Sequence, residues 1–107
     1  MTRDDEHVVE HIEELLRAPE SGAGAPTLAR IEDALTEGYA QALALEAERW
    51  RLERRLGEVA RSGAAGEVVE IASRMESADG ELSRLRGLLG TLHDRARVAR
   101  KATLPSL

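Results

Sequence analysis

Two histidines and a glutamate near the N-terminus form the only pattern in this sequence that matches a catalytic motif. The segment His7-Val-Val-Glu10-His11 has the form H-x-x-E-H, in which two histidines bind zinc and the glutamate acts as a general base. A zinc hydrolase also needs a further ligand, a substrate cleft and oxyanion stabilisation, and a short helix beside a linker supplies none of these. We therefore predict a protein without enzymatic activity and without a cofactor.

A simpler metal site is an alternative interpretation of the same segment. His7, His11 and Glu14 are spaced by four and three residues, so they share one stripe of a helix. A residue from another helix, such as Glu32 or His93, would complete a tetrahedral or carboxylate-rich site. The opposing interpretation places both histidines on the polar border of an amphipathic helix. The sequence favours that second interpretation, because His11 lies close to the edge of the apolar sector.

Two arginine-rich segments, 49–55 and 95–101, raise the alternative of a regulator that contacts nucleic acid. In the first segment the arginines surround Trp50, and arginines beside an aromatic residue occur in nucleic-acid interfaces. Glutamates alternate with these arginines, however, and the formal net charge of −5 argues against binding through phosphate contacts. We therefore interpret both segments as solvated helix surface, the second also complementing a helix C-terminus.

The composition is that of long helices rather than of a mixed fold. Charged residues make up 33% of the 107 residues and aromatic residues only 2%. Cysteine is absent, which excludes disulfides and thiolate metal sites. The N-terminal residues lack the apolar core of a signal peptide, and no apolar run approaches the length of a membrane span. We therefore expect a soluble, cytoplasmic protein without a membrane partner.

Apolar periodicity and chain breakers divide the chain into four parts. In order, they are a short amphipathic helix at 1–18, a flexible linker at 19–26, an antiparallel helical hairpin at 27–101 and a frayed tail at 102–107. The hairpin consists of helices at 27–61 and 67–101, joined by a turn at 62–66 that contains two glycines. Thr2 and Thr27 precede the first two helices and are predicted to be their N-caps.

Both hairpin helices carry a heptad seam, with residues at alternating steps of three and four. The third helix has an unbroken apolar seam: Val68, Ile71, Met75, Ala78, Leu82, Leu85, Leu89, Leu92, Ala96 and Ala99. The second helix has two exceptions in its seam: Leu28, Ile31, Leu35, Gly38, Ala42, Leu45, Arg49, Leu52, Leu56 and Val59. Aligning the seams outward from the turn places Gly38 opposite Leu89 and Arg49 opposite Ala78. Each exception then meets a residue of complementary size, which supports this register.

The charges beside the seam agree with this register only in part. Glu32 faces Arg100 at the open end of the hairpin, which is favourable, but Arg55 faces Arg74 near the turn. Exposed pairs contribute only tenths of a kcal/mol each, so the apolar seam determines the register. The mixed signs favour edges that face more than one partner helix.

Several apolar residues remain outside the seam. Tyr39, Leu43 and Trp50 follow one another at helical spacing on the second helix, and Leu88 adds an apolar position on the third. One interpretation is that the N-terminal helix folds back and covers part of this set. The other is that the set forms a surface for self-association or for an unidentified protein partner.

The sequence thus predicts an all-α fold, with a short N-terminal helix and a long antiparallel, coiled-coil-like hairpin. A two-helix hairpin of this size has little core for its surface. We therefore expect a homodimer in which two hairpins form a four-helix-type bundle. The predicted function is that of a helical interaction or scaffold protein.

Overall fold

The chain folds into three α-helices, and the two long ones form an antiparallel hairpin. The computed structural model describes the backbone of residues 2–103 and the side chains of residues 7–102. The helices are α1 at Thr2–Arg17, α2 at Leu28–Ser62 and α3 at Ala65–Thr103. The predicted fold class, a short N-terminal helix and a long helical hairpin, is confirmed. Within the described range no helix is both long and apolar enough to cross a bilayer.

The ends of α2 are fixed by two local signals. At the N-terminus the side chain of Thr27 accepts a hydrogen bond from the backbone N–H of Arg30 at 3.2 Å, so the predicted cap is confirmed. At the C-terminus Gly63 has a φ of 78° and donates its N–H to the carbonyl of Val59 at 3.1 Å. The capping role predicted for Thr2 lies outside the described side chains.

The turn between α2 and α3 is shorter than the predicted 62–66. Only Gly63 and Ala64 lie outside the helices, because one left-handed residue is enough to reverse the chain. Gly66 therefore belongs to the first turn of α3. At its other end α3 continues through Thr103, past the predicted end at 101, and residues 104–107 of the predicted tail lie outside the described residues.

Two contacts between α2 and α3 agree with the predicted register of the hairpin. The side chain of Leu89 lies against Gly38, so closely that a Cβ at position 38 would overlap its Cδ2. At the open end Arg100 Nη2 donates to Glu32 Oε2 at 2.9 Å, as the register predicts. Seam residues on both helices are buried or half-buried throughout. The complementary sizes of facing residues therefore position α3 along α2.

α1 folds back onto its own hairpin and packs against both long helices. Its Glu13 reaches Arg84 at 2.6 Å, while the carbonyl of Ala18 accepts from Arg95 at 3.0 Å nearer the open end. These contacts place α1 antiparallel to α2 and parallel to α3. Ile12 and Leu15 are buried in the resulting three-helix layer. The core cluster consists of Ile12, Leu15, Ile31, Ala34, Leu35, Ala42, Leu45, Leu82, Leu85, Leu89, Leu92 and Ala96.

The half of the hairpin nearer the turn has only two helices. There most seam residues are half-buried instead of buried: Leu52, Leu56, Val68 and Met75. The best-packed part of the molecule is therefore its open end, where α1 adds the third helix.

Candidate protein-interaction surface

Three large apolar side chains of α2 point away from the core. Tyr39 is 48% exposed, Leu43 66% and Trp50 64%. We call these three residues the α2 strip. They lie on the flank of α2 away from Ala34, whose own flank is covered by α1. The structure thus confirms that α1 folds onto the hairpin, but α1 leaves the strip uncovered.

Leu88 is separated from the strip by the body of the hairpin. It is half-buried against the core cluster, on the face of α3 that also carries Arg84 and Arg95. Both of those arginines contact α1. Of the four residues proposed from the sequence for partner binding, three therefore share an exposed surface, and Leu88 lies with α1.

A shallow groove runs beside the strip between α2 and α3. Leu89 and Ala42 line the bottom of the groove, and Gly90, which has no side chain, lies on its α3 side. An ion pair between Glu46 and Arg86 crosses the groove from one helix to the other. Large apolar and aromatic side chains such as Leu43 and Tyr39 beside a groove are features of protein-binding surfaces.

Trp50 also carries a cation on its face. The guanidinium carbon of Arg54 lies 5.9 Å from the centroid of the indole ring, one turn further along α2. A cation–π contact at an exposed site stabilises the pair by about 0.5–1 kcal/mol. Trp50 remains 64% exposed beside this contact.

Arg49, the charged exception in the α2 seam, is accommodated at the surface. Its side chain binds Asp79 and lies 2.8 Å from Glu53, so its head remains among polar partners. The hydrogen bond to Asp79, together with the charges of Asp79 and Glu53, raises the pKa of Arg49 above its ordinary value. Arg49 thus bridges α2 and α3 through its contact with Asp79.

The sequence places Arg55 opposite Arg74 near the turn, and in the structure each of these two arginines has an acidic neighbour. Arg55 binds Glu67 across the turn at 3.1 Å, and Arg74 lies 3.4 Å from Glu70 on its own helix. The two arginines therefore each have an acidic partner, and the edge needs no second helix to neutralise it.

The second arginine segment has structural partners as well. The side chain of Arg95 is only 19% exposed, and it donates to the carbonyls of Leu16 at 2.6 Å and Ala18 at 3.0 Å. Arg97 pairs with Asp94 at 3.0 Å. Arg95 thus caps the C-terminus of α1, a role that its position on a basic helix end did not predict. No local signal could have revealed it, because the partners are almost eighty residues apart in the chain.

The three residues proposed as metal ligands, His7, His11 and Glu14, all lie on α1. The rings of His7 and His11 are stacked, with centroids 6.4 Å apart. His7 and Glu14 are exposed, and Glu32, a proposed additional ligand, is engaged with Arg100. Among residues 7–102 the structure forms no group of three or more histidine and carboxylate side chains suited to a metal ion.

The exposed apolar surface of α2 is thus the feature of this chain best suited to recognition. No polar or charged side chain among the described residues is buried.

Comparison with family models, with curated proteins and with solved structures finds no match to this chain.

Proposed function

We propose that this chain is a non-enzymatic helical interaction protein that self-associates through the α2 strip. The observation that carries the proposal is the exposure of Tyr39, Leu43 and Trp50 along one flank of α2. Isolated exposed apolar residues are common, but three large ones on one flank of a helix, two of them aromatic, are typical of binding surfaces. Tyrosine and tryptophan also contribute disproportionately to binding energy at interfaces.

Self-association is supported by the position of the α2 strip, which lies on the side of α2 that α1 does not cover. Its three large side chains remain exposed in the single chain. A second copy would add helices beside α2 and bury the strip of both copies at once. The homodimer and its interface are therefore the central part of the proposal, and an unidentified protein partner is the alternative occupant.

Light scattering combined with size-exclusion chromatography tests the proposal over a range of protein concentrations. We expect the natural chain to be a dimer and the Leu43→Glu, Trp50→Glu variant to be a monomer with the same helical circular dichroism. The matched control is Val69→Glu, Val98→Glu, because both valines are exposed on α3 and the charge change is identical. That control should remain a dimer.

Two results would contradict the proposal. One is a natural chain that stays monomeric at every concentration. The other is a dimer that the strip variant and the control variant preserve equally well.

A further inference from the structure

A second heptad pattern runs along the outer side of α2. It contains six exposed residues, spaced by four and three in turn: Thr36, Ala40, Leu43, Ala47, Trp50 and Arg54. We call these six residues the outer stripe. Its four central members, Ala40, Leu43, Ala47 and Trp50, are apolar and follow heptad spacing, as in a coiled-coil contact.

Two copies of the outer stripe that run in opposite directions place large side chains opposite small ones. If a second copy of α2 lies antiparallel about residue 45, Leu43 faces Ala47 of the second copy and Trp50 faces its Ala40. Each of these layers places a large side chain against a small one, and each occurs twice by symmetry. Residue 45 is also the midpoint of α2, Leu28–Ser62, so the two helices overlap along their whole length.

The flanking charges are complementary in the same arrangement. Glu37 lies beside Arg51 of the second copy, and Arg30 lies beside its Glu58, and symmetry repeats both pairs. All four side chains are exposed in the single chain and can reach a second helix. Opposite charges at such flanking positions set the orientation of paired helices.

A parallel arrangement of the same surface loses the size complementarity and most of the charge complementarity. It would place Glu32 beside Glu37 and Glu53 beside Glu58, two like-charged pairs, against one opposite-charged pair, Glu46 beside Arg51. It would also place Trp50 opposite Trp50 of the second copy and Ala47 opposite its Ala47. Layers with too much side-chain volume would then alternate with layers that have too little. The antiparallel arrangement is therefore favoured by size and by charge independently.

The existing fold leaves room for this contact. α1 packs on the opposite flank of α2, where Ile12 approaches Gly38, so it does not compete with a helix on the outer stripe. Near the symmetry axis Glu46 approaches Glu46 of the second copy, and each is already paired with Arg86 of its own chain. That ion pair lowers the repulsion between the two carboxylates.

We propose that the occupant of the outer stripe is a second copy of this chain, bound as an antiparallel α2–α2 pair with Trp50 over Ala40 of the second copy. This inference rests on the proposed function and specifies its interface. It differs from a four-helix bundle formed around the hairpin seams, because the contact uses only the outer side of α2.

Engineered cysteines distinguish this geometry from others, since the natural chain contains no cysteine. In the antiparallel pair Thr36 faces Arg54 of the second copy, while identical positions lie about 27 Å apart, too far for a disulfide. Oxidation of the Thr36→Cys, Arg54→Cys variant should therefore give a covalent dimer. Each single variant should remain uncrosslinked under the same conditions, and the four apolar residues of the outer stripe, Ala40, Leu43, Ala47 and Trp50, are unchanged in all three.

A charge exchange tests the flanking contacts without altering the apolar residues. Glu37→Arg should weaken the dimer about tenfold, because two like-charged contacts with Arg51 are created. The Glu37→Arg, Arg51→Glu variant should restore the affinity. Within one chain these positions are about 21 Å apart along the helix, so recovery reports a contact between copies.

The possible results separate the inference from the proposed function. A covalent dimer formed only by the double cysteine variant, with recovery on charge exchange, supports the antiparallel pair. Self-crosslinking of each single variant shows a parallel pair and overturns the inference. A dimer in light scattering that forms neither crosslink overturns the inference but leaves self-association standing. A chain that is monomeric at all concentrations overturns both.

Discussion

The side chain of Leu89 occupies the space beside Gly38 that any larger residue at that position would need. A Cβ at position 38 would overlap Leu89 Cδ2 and would lie 3.1 Å from Ile12 Cδ1. All three helices therefore meet at this glycine. The absence of a side chain on α2 is what lets α1 and α3 approach there together.

Substitution of Gly38 by alanine should destabilise the protein. Alanine normally stabilises a helix interior by up to about 1 kcal/mol relative to glycine, but overpacking a closed core costs about 1–3 kcal/mol. Because Leu89 is itself buried and cannot move aside freely, we expect a net loss of up to about 2 kcal/mol in the free energy of unfolding, measured by urea denaturation.

The control for this prediction is Gly80→Ala on α3. A Cβ at Gly80 would meet no atom within 4 Å, so we expect that variant to gain stability. In a Leu89→Ala background, the Gly38→Ala change should lose its cost, since the methyl group then has space. Equal effects at positions 38 and 80 would contradict the close approach.

Removal of the Arg95 side chain should release α1 before the hairpin unfolds. Arg95 donates to the carbonyls of Leu16 and Ala18, and such bonds from a charged donor contribute about 1.5–3 kcal/mol each. In Arg95→Ala we expect backbone amides of residues 12–17 to exchange with solvent at least tenfold faster, as measured by hydrogen–deuterium exchange, while the amides of α2 stay protected.

Two further variants give this experiment its specificity. Arg97→Ala removes an exposed arginine that pairs only locally with Asp94, and it should leave α1 protected. Arg95→Lys keeps the charge but loses the planar fork that reaches several carbonyls, so we expect partial release. If the amides of α1 exchange at the same rate in all three variants, the Arg95 cap contributes nothing to the docking of α1.

Truncation of Ile12 should create a cavity in the three-helix layer. Ile12 is completely buried between the other helices, and isoleucine-to-alanine changes at such sites cost about 2–5 kcal/mol. We expect Ile12→Ala to lower the urea midpoint or to make α1 detach in a separate early transition. The exposed Leu43→Ala is the comparison, and at protein concentrations where the chain is monomeric it should change the unfolding free energy by less than about 0.5 kcal/mol. Similar losses from both variants would contradict the docking of α1.

The single tryptophan provides a direct readout of association. Trp50 is 64% exposed in one chain, so a dilute monomer should show red-shifted emission and ready quenching by acrylamide. As concentration rises and the second copy covers the indole, we expect a blue shift and weaker quenching. Leu43→Glu keeps the fluorophore but disrupts the strip, and its spectrum should not depend on concentration. A natural chain with a concentration-independent spectrum would contradict burial of Trp50 at an interface.

The hairpin was predictable because its determinants are local or periodic. The seam positions, the cap at Thr27 and a glycine-containing turn between the long helices are each readable from neighbouring residues. The register was predictable as well, since Gly38 and Arg49 are the only exceptions in an otherwise apolar seam and each requires a complementary layer. The turn length was overestimated, because both Gly63 and Gly66 look like chain breakers in the sequence and only Gly63 acts as one.

The position of α1 was decided by the tertiary structure alone. Its amphipathic sequence establishes that one face must be buried, but both flanks of the hairpin offer apolar residues to cover it. The small residues Ala34 and Gly38 admit Ile12 on one flank, and Arg95 caps the end of α1 on that same side. These contacts join residues far apart in the chain, so no local period encodes them. By selecting one flank, they leave Tyr39, Leu43 and Trp50 exposed on the other.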